Sequence, residues 1–213
     1  MAGRTVEDRL RQEYFELLPD IRRVKELLEA EVRYQIRTIS CNLQKYERVE
    51  VTSRIKECDS AVDALRRDQE GRKFDPERPD AYTLTALHDL AGVRVLAFPR
   101  SRWAEVDQEL RPHFSSWNPD HVFDQNDHLL AYTYYGYCEP ASPRVSGEYQ
   151  VVPMLTGLFW QVEHSAIYKP DPKLKGVLEE SEMRDRTTDV IGALQRFENE
   201  FERLVLRGED SEG

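Results

Sequence analysis

The spacing of apolar and polar residues changes period several times along this chain, and each change marks an element. From Thr5 to about Tyr46 the period is helical. Thr5-Val6-Glu7-Asp8 has the form of a capping box, with Asp8 in place of the usual Glu or Gln. Pro19 is expected to end a first helix near Leu17, and Asp20 to cap or begin the next. From Ile21 onward, Val24, Leu27, Leu28, Val32, Ile36 and Ile39 form one apolar stripe, which needs a sheet to cover it.

Beyond it, Arg48 to Lys56 alternates with period two, Val49, Val51 and Ser53 sharing a face, and predicts a strand. A helix follows from Glu57-Cys58-Asp59-Ser60 through Leu65. Gln69 to Pro79 is polar and proline-bearing, a loop or a disordered insert. Val93, Val95, Leu96 and Phe98 predict a buried strand that Pro99 ends. Arg100, Ser101 and Arg102 fall on the loop after it, and Trp103 to Leu110 reads as a short amphipathic helix. Arg111 to Asp127 is a connection rich in His, Asn, Pro and Asp. Leu129 to Tyr137 is a tyrosine-dense strand, broken at Gly136.

From Gly147 to Lys169 the chain passes from a strand, Glu148-Tyr149-Gln150-Val151-Val152, through Pro153 into a helix. Leu155, Leu158, Phe159, Val162 and Ala166 carry that helix's apolar spacing. Past Pro172, Leu174 to about Arg207 is helical again, with Met183, Val190, Leu194, Phe197, Phe201 and Leu204 to Leu206 as apolar contacts. The order of elements predicts one α+β (mixed α/β) domain, a small mixed β-sheet flanked by helices. Its parts are N-terminal helices over 1–45, a core over 46–170, C-terminal helices over 171–207 and a disordered acidic tail over 208–213.

Composition narrows the function. With 213 residues and 39% hydrophobic content the chain can form one sizeable core. Forty acidic residues against 30 basic ones give a net charge of -10, which excludes a fold-wide electrostatic grip on nucleic acid but leaves room for a local basic groove. No run of about 18 apolar residues exists to span a membrane. The charged N-terminus lacks the apolar core of a signal peptide. Cys41, Cys58 and Cys138 are an odd number without CxxC spacing, which points to reduced thiols in a cytoplasmic protein rather than a disulfide framework or zinc site.

The candidate chemistry lies on the strands. Glu148 and Gln150 are two apart, so they share one face and offer a carboxylate and an amide on a rigid support. A solvated edge strand would fit the same spacing. Arg54 and Lys56 share the end of their strand, with Ser60 at the start of the next helix, where cations and a helix N-terminus suit a polyphosphate. A solvated charge pair would fit there too. Asp89 stands just before a buried strand, with Gly92 allowing close approach. Tyr137 reads either as a β-forming residue or as a stacking platform for a nucleobase. His113, His121 and His128 lack metal-ligand spacing.

In this order, Arg54-x-Lys56-x-x-x-Ser60, Asp89-Leu90-Ala91-Gly92-Val93-Arg94, Gly136-Tyr137 and Glu148-x-Gln150, ending in Glu163-His164 and Tyr168-Lys169, the motifs resemble the RelA/SpoT synthetase domain. The resemblance covers about Tyr46 to Lys169, with no hydrolase or regulatory domain around it, like a small stand-alone alarmone synthetase. It implies a nucleotidyltransferase-like fold and transfer of the β,γ-pyrophosphate of ATP to the 3′-hydroxyl of GDP or GTP, making (p)ppGpp. By that resemblance Asp89 and Glu148 would hold Mg²⁺, and Glu148 could also take the proton of the 3′-hydroxyl. Arg54, Lys56 and Ser60 would bind the triphosphate, with Arg94 on the ATP side and Arg100 or Arg102 over adenine. Tyr137, with Gly136 and Gln150, would receive the acceptor base, and a homo-oligomer is implied.

Three departures fall on the acceptor side. Cys138-Glu139-Pro140-Ala141 stands where the family has a Ser and a His, Val152-Pro153 replaces Arg-Thr, and Tyr132-Thr133-Tyr134-Tyr135 replaces basic residues. They point to a relaxed or altered acceptor. Two alternatives stay open: a toxin-like relative that pyrophosphorylates another 3′-hydroxyl, such as that of tRNA, and a catalytically silent nucleotide-binding protein.

Overall fold

The computed structural model describes residues 5–124, 127–139, 141–163 and 180–209. Helix α1 (Val6–Gln35) opens with the expected capping box, Thr5 and Asp8 each bonding the other's backbone N–H. It runs unbroken through Pro19, against the expectation of a stop there. Pro19 lies on the exposed side, while Leu17 and Ile21 on either side of it are buried. One lost backbone bond facing water is outweighed by a continuous buried stripe. Of that stripe Val24, Leu28 and Val32 are buried, and only Leu27 faces solvent. Ile39 continues it on the short α2 (Arg37–Cys41).

The strands are β1 (Arg48–Ile55), β2 (Ala91–Phe98), β3 (Asn118–Pro119), β4 (Val122–Phe123), β5 (Leu129–Tyr137) and β6 (Ser146–Pro153). They form one mixed sheet in the order β1-β2-β6-β5-β3, with β4 also on β5. The β2–β6 pair is parallel and its neighbours are antiparallel. β6, whose spacing also fitted an edge strand, is therefore central. Between the strands lie α3 (Cys58–Arg67), α4 (Arg100–Leu110), α5 (Met154–Glu163) and α6 (Glu180–Glu209). The segment between α3 and β2 carries three short 3₁₀ turns, Glu70–Arg72 within the stretch Gln69 to Pro79 expected as a loop or a disordered insert, Pro79–Ala81 at its end and Leu84–Ala86 beyond it.

On one face of the sheet, α1 and α4 bury Val93, Val95, Tyr149 and Val151. On the other, α5 packs on Leu96, Ala131 and Val152. The helix α5 sits very close: a Cβ on Gly157 would stand 2.3 Å from Leu96 Cδ2. The expected apolar face of α5 is partly wrong in consequence. Met154, Thr156 and Gly157 are buried, whereas Leu158 and Val162 are exposed. Nor does Gly136 break β5, which continues to Tyr137. A Cβ at Gly136 would lie 2.5 Å from Trp117 Cγ, so glycine is there to let an indole ring pack flat against the strand.

Arg100 to Arg102, expected on a loop, form the first turn of α4. The helix lacks a side-chain cap of its own, and Glu202 on α6 accepts the Ser101 N–H instead. His164, Tyr168 and Lys169, the domain boundary near 171 and the last residues of the expected tail lie outside the described residues.

Candidate active site

Strand register builds the site. Across four strands, Arg54 of β1 pairs with Gly92 of β2, Gly92 with Glu148 of β6, and Glu148 with Tyr135 of β5. Two residues along, Thr52, Arg94, Gln150 and Thr133 form a second row in the same manner. Residues in register, two apart, share one face, so both rows look to the same side. That side opens on a cavity of about 1130 Å³ with Ser60 of α3 and Trp160 and Gln161 of α5 in its walls. This exceeds the roughly 300–1,000 Å³ usual for a single small ligand, so two can lie in it together.

Asp89, just before β2, is the charge centre of the first row. Lys56 Nζ donates to its Oδ2, and Arg54 Nη2 stands 3.9 Å from the same oxygen. Arg54 reaches across β2 over Gly92, where a Cβ would stand 3.6 Å from Arg54 Cγ, an ordinary van der Waals distance that does not require glycine. Glu148 is half-buried beside them. Burial first, and the charge of Asp89 second, push its carboxyl up to about 7, against the pull of Arg54, Arg94 and Lys56. Two nearby carboxylates with one protonation edge near neutrality make a place where a proton or a cation is welcome.

In the second row, Gln150 Oε1 accepts from Arg94 Nε at 3.0 Å and from Nη2 at 2.8 Å. The structure thus brings together Arg54, Lys56, Ser60, Asp89, Arg94, Glu148 and Gln150. It adds three cations that the sequence reading passed over: Arg66, Arg67 and Arg72. Arg66 pairs with Glu7 and Asp63 at 3.0 Å each. Neither Arg67 nor Arg72 forms an ion pair among the described residues. Arg67 was within reach of sequence reasoning, since Ser60 and Arg67 are two helical turns apart on α3. Arg72 was not, because it reaches the cavity through a turn with left-handed backbone at Gly71 and Arg72.

Four expected residues are elsewhere. Arg102 bonds Glu47 at 2.8 Å, and also Glu105, in a separate pocket of about 240 Å³. Arg100 lies over the Trp103 ring, 4.9 Å from its centroid, and donates to the Leu129 carbonyl. Both belong to the α4 side because the helix begins one residue after Pro99 and carries them away from the cavity. Gly136 and Tyr137 do not line it either. Gly136 faces Trp117 on the opposite side of the sheet, and Tyr137 pairs with Ser146, beyond the Glu148 row. The ring registered with Glu148 is Tyr135, stacked on His88 with centroids 4.1 Å apart.

No protein-family model and no curated protein sequence matches this chain. Solved structures do. Small alarmone synthetase 1 from Bacillus subtilis superposes with a TM-score of 0.65 over 95% of this chain and 100% of that one, at 18% identity. The fold is that of the small alarmone synthetases. The same synthetase bound to its product pppGpp gives a TM-score of 0.66 at 18% identity, over 93% of this chain and 98% of its own. A GTP pyrophosphokinase family protein from Streptococcus pneumoniae gives 0.62 at 15% identity, over 94% and 97%. In this alarmone synthetase fold the cavity lies on the sheet face away from α1. No described helix is long and apolar enough to cross a membrane, and all three cysteines are free thiols.

Proposed function

We propose that this protein is a pyrophosphokinase that moves the β,γ-pyrophosphate of ATP to the 3′-hydroxyl of a purine nucleotide, giving a (p)ppGpp-type product. The observation that carries the reading is the pair of rows across the sheet. They set Glu148, with Asp89 just before β2, among several cations in one cavity with room for two nucleotides. Arg54, Lys56 and Ser60, with Arg67 and Arg72 beyond them, suit a triphosphate. Phosphoryl-type transfer asks a protein chiefly for positioning and charge neutralisation, which such a set supplies. A relative solved with the ATP analogue AMPCPP, small alarmone synthetase 1 from Bacillus subtilis, supports the donor side by analogy.

Asp89 and Glu148 fit Mg²⁺. Both are hard oxygen donors, and their mutual repulsion would be relieved by a cation. Among the described residues no third His, Cys, Asp or Glu groups with them. The remaining positions would fall to water and phosphate oxygens, which Mg²⁺ favours. Bound there, the ion would neutralise charge on the transferring phosphates. Glu148, with its proton affinity set near neutrality, is the group to accept the proton of the attacking hydroxyl.

A homo-oligomer belongs to the same reading. Val190, Phe197 and Leu204 recur at seven-residue spacing on α6 and are all exposed, a stripe that a second copy of the chain would cover. Solution scattering at micromolar concentration reads the mass, and a monomer would remove this part.

The test of function is incubation of the pure protein with ATP labelled in its γ-phosphate, Mg²⁺ and each acceptor in turn. Label in a guanosine or other purine nucleotide is expected. Label on the 3′ end of tRNA alone would move the acceptor to nucleic acid. Label in no product would leave a nucleotide-binding protein without turnover.

A further inference from the structure

The residue pair Arg94–Gln150 is unusual for what it lacks. A guanidinium held by two N–H bonds to one partner normally has a carboxylate there. Here the partner is an amide, whose Oε1 takes both the Nε and Nη2 protons at 3.0 and 2.8 Å without adding charge. Both side chains rise from paired positions on β2 and β6, the two central strands, so the geometry is fixed by the sheet. Gln150's own amide nitrogen has no partner among the described residues.

The charges around this pair reinforce the point. Arg94 is half-buried, and burial first, then the nearby Arg54, lower its hold on its proton, while Glu148 works the other way. Arg94 forms no ion pair among the described residues. Keeping a half-buried cation beside Arg54, held by a neutral clamp with only Glu148 to offset the repulsion, is unfavourable without a bound anion. The arrangement becomes favourable when a polyanion enters, because the field of Arg94 has not already been cancelled.

Resting on the reading that the cavity takes ATP, we propose that Gln150 is a positioning residue: it locks Arg94 toward the cavity and leaves the guanidinium's charge available to the phosphates. It is then not a direct contact to the acceptor. An acidic residue at 150 would hold Arg94 equally well and abolish its use.

The experiment is a binding cycle with a non-hydrolysable ATP analogue and with inorganic triphosphate, by calorimetry at low salt. It compares wild type, Gln150→Glu, Arg94→Gln and the double variant. Gln150→Glu is expected to weaken both ligands by about tenfold or more, since one unit of nearby positive charge is neutralised. Its melting temperature should be unchanged or higher, because the amide bond becomes an ion pair. In the Arg94→Gln background the same substitution should add little. In turnover, the KM for ATP should rise more than the KM for the acceptor.

Unchanged binding in Gln150→Glu overturns the inference. So does an equal further loss in the Arg94→Gln background, or a loss confined to the acceptor KM, since each would make Gln150 a ligand contact or a bystander. Wild-type protein that binds neither polyphosphate overturns it as well. Binding that follows the cycle without transfer to any acceptor would defeat the proposed function and leave the clamp standing.

Discussion

At the residue scale, Glu148 carries the most specific expectation. Its carboxyl is held up to about 7 by burial and by Asp89. The folded state therefore binds that proton more tightly than the unfolded chain, whose Glu titrates near 4.3. The sign follows: the stability this group contributes is present below about 4.3 and is lost as pH rises through about 7. Glu148→Gln keeps the shape and removes the charge. In unliganded protein it should match wild type at pH 4 and exceed it at pH 8 by up to about 3 kcal/mol, in urea melts. The same substitution should lower kcat by about a hundredfold or more, since an amide neither takes a proton nor balances a cation. Equal stability at pH 8 would show that the carboxylate is better solvated than its place in the row implies.

Lys56 is the companion case. It is half-buried and donates to Asp89, so its charge is tied to the site rather than free in solvent. Lys56→Ala should raise the KM for ATP by about tenfold at low salt, with the effect shrinking as salt is added. Unchanged kinetics would return the pair to a structural ion bridge.

At the scale of elements, the sheet's close contacts are set by two glycines. Gly136→Ala would drive a methyl group into the buried Trp117 ring, which packs on Phe114 and Tyr149. A loss of about 1–3 kcal/mol in chemical denaturation is expected, the range for overpacked cores. The helix α6 acts on two other elements at their N-termini. Its Glu202 serves α4, and its fully buried Glu198 accepts the Leu155 N–H of α5 at 3.4 Å. Since α5 carries Trp160 and Gln161 into the cavity wall, Glu198→Ala should loosen that wall. Faster amide exchange in Met154–Glu163 than elsewhere would report it. Uniform exchange would show that α5 is held by its seat on Leu96 alone.

At the scale of the whole molecule, Glu148 and Glu198 act in one direction. Burial chiefly pushes the Glu198 carboxyl up to about 7 as well, with Glu202 adding to it and the Leu155 N–H and Arg100 opposing. Both groups then favour the folded state most at low pH. Unliganded protein should therefore lose stability between about pH 4.5 and 7.5, although the chain is acidic overall. The variant with both carboxylates changed to Gln should flatten that slope. A melting temperature that stays level across this range in wild type would count against both assignments.

Much of this molecule was legible from residue spacing. Period-two runs located two strands, a buried apolar run and a tyrosine-dense run two more, period-3.6 runs located the helices, and the Thr5–Asp8 capping box gave the start of the first. These signals are local, since a strand must alternate and a helix must cap its first turn whatever surrounds them. The strand positions of Arg54, Glu148 and Gln150 were likewise fixed by alternation. What no local signal contained was which strand lies beside which. The central place of β6, the Arg54–Gly92–Glu148–Tyr135 row and the union of Arg94 with Gln150 arise only when the sheet assembles. The same holds for the errors. Pro19 reads as a helix stop until buried contacts on both sides of it hold the helix together. Gly136 reads as a break until Trp117 packs against it. Tyr137 and Tyr135 are equivalent in an isolated strand, and only register with Glu148 separates them. Alternation decides which face a side chain takes, whereas long-range pairing decides what that face meets.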